Sequence, residues 1–62
     1  MINHIVRFTK RNGVETQVFY NNGKVRRFRE NDNMPNTVVK ILLDGECYET
    51  TYTETGKIER FR

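Results

Sequence analysis

Few residues of this chain are equipped for chemistry. The candidate nucleophiles are one cysteine, Cys47, and several threonines, and the one candidate imidazole base is His4. Cys47 falls inside a β-prone run and nothing in the spacing brings His4 beside it, so a buried structural thiol is the expected state of Cys47. Glu46, Glu49 and Glu54 could pair as carboxylates for acid–base work, but they read as the polar positions of a single strand. Cys47 and His4 do not make up the roughly four ligands of a structural zinc site. No glycine-rich loop leads into a helix where phosphate would be cradled, and a chain of 62 residues leaves little room for a concave pocket of ordinary size. The expectation is a protein that acts by binding, with no catalytic residues, cofactor, metal or small-molecule substrate.

The residues best suited to binding are cationic. The formal charge of +3 conceals a strong asymmetry, since residues 4–29 hold seven Lys and Arg against Glu15 alone, while residues 37–62 hold four against five acids. The densest run is Lys24-Val25-Arg26-Arg27-Phe28-Arg29. Arginine forks match phosphate oxygens, and Phe28 or Tyr20 between them would stack on a base. Lys24, Arg26, Arg27, Phe28 and Arg29, joined by Arg7, Lys10 and Arg11, are therefore the candidate nucleic-acid-binding residues. The plainer account of the same run is a solvated edge strand whose charges block aggregation. A second functional account makes the asymmetry a device for protein binding. The basic half of one subunit would meet the acidic half of another, or an acidic partner, so that the chain works as a homodimeric interaction or inhibitor module. Very small basic chains of this kind are frequent in phages and mobile elements, an association that adds no mechanism.

The elements that must position these residues are strands. Residues 2–10 alternate, with Val6 and Phe8 on one face and Arg7 and Thr9 on the other. Asn12-Gly13 is a strong hairpin signal because both residues accept positive φ. Residues 14–20 read as a second strand, Asn21-Asn22-Gly23 as a turn and Lys24 to Arg29 as a third strand. Residues 30–36, polar and containing Pro35, read as a connector with room for a short helical turn. Thr37 to Leu43, Glu46 to Thr53 and Lys57 to Arg62 then read as three further strands, separated by Asp44-Gly45 and Thr55-Gly56.

These two sets of three strands resemble each other. Residues 4–29 and 37–62 are both 26 residues long, and Gly23-Lys24-Val25-Arg26-Arg27-Phe28-Arg29 matches Gly56-Lys57-Ile58-Glu59-Arg60-Phe61-Arg62. A three-residue loop at Arg11-Asn12-Gly13 would pair Phe8 with Thr16, Val6 with Val18 and His4 with Tyr20. The expected fold is all-β: a six-stranded antiparallel small barrel, or two packed three-stranded meanders related by a pseudo-twofold repeat. Copy one is residues 4–29, the connector 30–36 and copy two 37–62, in a single domain spanning 1–62. Val25 and Phe28, like Ile58 and Phe61, are an odd number of positions apart. A regular strand puts them on opposite faces, so either a β-bulge or an outward-facing Phe is required. The stretch Tyr20-Asn21-Asn22-Gly23-Lys24 is similar to the Tyr-x-x-Gly-Lys turns of MORN-type hairpin repeats over five residues, with a longer period here.

Composition closes off other classes. No apolar run approaches the ~20 residues of a membrane span, and Met1 to Arg7 contain no apolar leader segment, so a cytoplasmic, reducing location is expected. Three Tyr, four Phe and regularly spaced Val and Ile argue against disorder. One cysteine excludes an internal disulfide, and domains this small often gain stability from a partner chain, so self-association is an expectation.

Overall fold

The computed structural model describes residues 1–62. The chain runs β1 (Ile2–Lys10), β2 (Gly13–Tyr20), β3 (Val25–Arg29), α1 (Asn36–Asp44), β4 (Cys47–Thr53) and β5 (Gly56–Phe61). The five strands form one antiparallel sheet in the order β3-β2-β1-β5-β4. The longest strand, β1, lies at the centre. β3 and β4 are the two edges, and α1 connects one edge to the other. The molecule is mostly β, as expected, but the sheet is open and has five strands, so neither the six-stranded barrel nor the pair of packed meanders forms.

The difference lies in Thr37 to Leu43, read from the sequence as a strand and found as the body of α1. Its Thr, Val and Ile content favours a strand, but helix propensity is a weak prior that tertiary packing overrides. Val38, Ile41 and Leu42 have the i, i+3, i+4 spacing of one helical face. Val38 is fully buried in the core, and Ile41 and Leu42 pack against that core. The amides of Val38 and Val39 donate to the Pro35 carbonyl at 3.0 and 3.1 Å, starting the helix, and the Gly45 amide donates to Ile41 O at 2.9 Å, ending it. The second half of the chain thus begins with a helix where the first begins with a strand, and the proposed repeat does not extend to the fold.

The register assigns every side chain to one of two faces, because residues opposite one another on neighbouring strands share a face. Arg26, Val18, Ile5, Phe61 and Cys47 form one row across the whole sheet, with Phe28, Thr16, Arg7, Glu59 and Thr50 in the next. This is the face that α1 covers: Val38 meets Ile5, Val18, Phe28 and Phe61 in one cluster, with Ile2, Tyr20 and Met34 at its margin. On the opposite face the rows are Arg27, Gln17, Val6, Arg60 and Glu49, then Arg29, Glu15, Phe8, Ile58 and Thr51. No helix or strand covers this second face.

Two local expectations change with the register. The first hairpin pairs Lys10 with Gly13 and turns on Arg11-Asn12 alone, not on three residues. Strand side chains repeat every two residues, so this one-residue slip exchanges the faces of β1. Ile5, not Val6, meets Val18 inside, and Val6 and Phe8 lie on the open face. Phe28 and Phe61 are both buried against the helix without any bulge in β3 or β5, while Val25 and Ile58 point to the open side. The odd spacing simply divides each strand between core and open face. The irregularities fall elsewhere, at Asn3 of β1 and Tyr48 of β4.

Candidate nucleic-acid interface

The run from Lys24 to Arg29 forms edge strand β3 and the turn before it. The turn needs Gly23, whose φ of 88° disfavours any residue with a side chain. It is held by Gly23 N–H to Tyr20 O at 3.0 Å and Tyr20 N–H to Lys24 O at 2.9 Å. Strand alternation then separates the cationic residues. Arg26 lies on the helix-covered face, its guanidinium carbon 4.9 Å from the centroid of the Phe28 ring. Arg27 and Arg29 lie on the open face and are exposed. Phe28 does not serve as a stacking platform for a base: only 7% of its surface is exposed, and the ring is part of the core. Tyr20 likewise packs against the core.

Of the other candidates, Lys10 lies on the open face at the end of β1, and Arg11 and Lys24 are exposed in the two turns. Arg7 belongs to the covered side. Its Nη2 is 3.0 Å from Oε1 of Glu59, and its guanidinium carbon is 4.8 Å from the centroid of Phe61. The structure therefore brings Arg27, Arg29 and Lys10 to one face, with Lys24 and Arg11 at its margins, and turns Arg7, Arg26 and Phe28 away from it.

The ion pairs sharpen the asymmetry. All four join a cation to an acid of the second half: Arg7 and Lys57 to Glu59, Arg60 to Glu49 and Arg62 to Glu46. Lys10, Arg11, Lys24, Arg26, Arg27 and Arg29 take part in none of them. The excess positive charge is thus both concentrated at the β3 side and uncompensated within the chain.

The open face also carries aromatic residues not counted among the candidates. Phe8 and Phe19 are half-buried there, and the His4 and Phe19 rings stack at 4.5 Å with 7° between their planes. Asn3 Oδ1 lies 2.8 Å from His4 Nδ1, and Asn3 Nδ2 donates to Asn21 Oδ1 at 2.8 Å, fixing this corner of the sheet. Val6 and Ile58 complete an apolar centre flanked by Arg27, Arg29 and Arg60. The signal for these residues was the alternation His4, Val6, Phe8, Lys10, which is legible as one face but ambiguous as to which.

Although a chain this short was expected to have little room for a concave pocket, a groove of about 510 Å3 opens at the end of this face between the β1–β2 turn and the residues after β3. Phe8, Lys10, Asn12, Glu15, Arg29 and Asn31 are among its lining. Cys47, expected to be buried, is exposed on edge strand β4. No group of three or more His, Cys, Asp or Glu is arranged to hold a metal ion, and no helix is long and apolar enough to cross a membrane. No family model matches the chain, and no curated protein or solved structure is significantly similar to it.

Proposed function

We propose that this chain binds nucleic acid through the open face of its sheet, with phosphates on Arg27, Arg29 and Lys10 and unpaired bases over Phe8 and the Phe19–His4 pair. The observation that carries this reading is the coincidence, on the one uncovered face, of aromatic rings with cations that have no ion-pair partner in the chain. Base stacking on such rings contributes about 1–3 kcal/mol per base and tolerates any sequence. Rings on an uncovered face favour single strands, whose bases are free to stack, over duplex. Lys24 and Arg11 extend the positive field along both turns, where it would speed association.

Self-association is the second reading, and β4 supports it. All seven residues of Cys47–Thr53 are exposed, and an uncovered edge rich in Thr and Tyr offers unpaired backbone groups to another strand. Fluorescence anisotropy with labelled single-stranded and duplex oligonucleotides separates the two readings. Phosphate contacts predict single-strand binding that weakens steeply between about 50 and 200 mM salt. A chain that binds neither oligonucleotide at low salt, yet sediments as a dimer, would favour the second reading.

A further inference from the structure

The groove at the β1–β2 end of the open face has a composition more particular than phosphate binding requires. Glu15 and Arg29 stand directly opposite one another on β2 and β3, on the same face, where opposite charges ordinarily close into a pair. They do not: neither belongs to any of the four ion pairs. Glu15 instead accepts a hydrogen bond from Gln17 Nε2 at 2.8 Å through Oε2, which orients its carboxylate and leaves Oε1 without a partner. Arg29 is held through its backbone, its N–H donating to Asp32 Oδ2 at 2.7 Å. Phe8 and Lys10 form the β1 side of the same groove.

We infer that this groove holds one nucleotide of the bound strand and prefers a base with an exocyclic amino group, cytosine over thymine. The inference rests on the nucleic-acid reading above and adds base preference to it. The groove's volume of about 510 Å3 lies in the usual range for small-ligand sites, roughly 300–1,000 Å3. Phe8 supplies a ring face for the base, and Lys10 and Arg29 supply charge for its phosphate. The free oxygen of Glu15 accepts from an amino N–H, as carboxylates do from cytosine N4. Thymine presents a carbonyl oxygen at that position, which would face the carboxylate lone pairs. Glu15 and Glu30, both in the lining, also keep the groove from attracting simple anions, so a ligand needs a donor edge as well as a phosphate.

Labelled oligo(dC) and oligo(dT) of equal length test this near pH 7.5, because the two differ at the position Glu15 would read. The expected result is an advantage for oligo(dC) on the order of tenfold, abolished by Glu15→Gln, whose amide can donate to the thymine carbonyl and accept from the cytosine amine. Phe8→Leu should weaken both oligonucleotides to a similar degree, with circular dichroism confirming that the fold is kept. Salt-sensitive binding with no cytosine preference, or a preference that survives Glu15→Gln, overturns the inference while leaving the open-face reading intact. Failure of the wild-type chain to bind either oligonucleotide at low salt removes both.

Discussion

Arg26 and Arg27 are adjacent in sequence and lie on opposite faces of the sheet. Arg26 leans on the buried Phe28 ring at 4.9 Å, beside the helix, and Arg27 stands opposite Gln17 on the uncovered side. A run of basic residues in a strand is therefore two half-surfaces: Arg26 shares one with the buried ring of Phe28, and Arg27 and Arg29 share the other with the half-buried Phe8 and Phe19. Residues that look equivalent in the sequence have different surroundings: Arg26 shields an edge of the core, while Arg27 and Arg29 are exposed on the uncovered face.

The same division sets stability. Phe28→Ala removes a ring from the five-residue core, and truncations of this kind cost about 3–5 kcal/mol. A chain of 62 residues has a total stability of only about 3–9 kcal/mol on the usual per-residue scale. Val25→Ala, on the same strand but 45% exposed on the open face, should cost less than about 1 kcal/mol. Urea unfolding of the two variants checks the contrast. Similar midpoints for both would mean that β3 is not packed as described.

Gly56 predicts a different failure, steric and not packing-based. It pairs with Lys10 at the start of β5, and a Cβ placed there would collide with the backbone carbonyl of Thr9. The obstacle is backbone, so no side-chain rotation relieves it. Gly56→Ala should loosen the β1–β5 ladder, lowering the urea midpoint and raising amide exchange at Thr9, Lys57 and Ile58. Unchanged exchange in that variant would contradict the close approach of these two strands.

Cys47 provides a check on the β4 edge. Its exposed Sγ has only weak contacts, with Glu49 O at 3.6 Å and Thr50 Oγ1 at 3.5 Å. One thiol per chain should react promptly with an aromatic disulfide reagent in the absence of denaturant. Slow reaction that accelerates only in urea would indicate a thiol covered by a partner chain, as the self-association reading requires.

Much of the local architecture was legible. Asn12-Gly13, Asn22-Gly23 and Thr55-Gly56 mark the three hairpins because their geometry needs residues tolerant of unusual φ or close approach, and five of the six expected strands form. What failed had physical causes. Thr37 to Leu43 is β-branched and apolar, and only the need to cover one side of the sheet makes it helical. The bracket of Pro35 before it and Gly45 after it was the helix signal in the sequence. The likeness of 23–29 to 56–62 is genuine as a pattern, yet β3 is an edge and β5 an interior strand, so similar residues serve different positions. The β1–β2 loop was ambiguous by one residue, and that single step decided which face of the sheet Val6 and Phe8 occupy; on the uncovered face Phe8 is half-buried and Val6 is 5% exposed. The basic cluster was found from charge alone. Its division between the covered and the open face depended on the register.

The central claim is that the open face, not the basic strand as a whole, engages nucleic acid. The direct measurement is the salt dependence of single-strand affinity for the wild-type chain, for Arg26→Ala and for the double variant Arg27→Ala/Arg29→Ala. Each removes positive charge from the same strand, but on different faces. Arg26→Ala is expected to bind nearly as the wild type does. The double variant should lose most of its affinity at about 50 mM salt, and its log–log salt slope should become shallower by about 0.7 for each phosphate it no longer neutralises. Equal weakening per arginine from either face would contradict the claim, reducing the interaction to attraction by net charge.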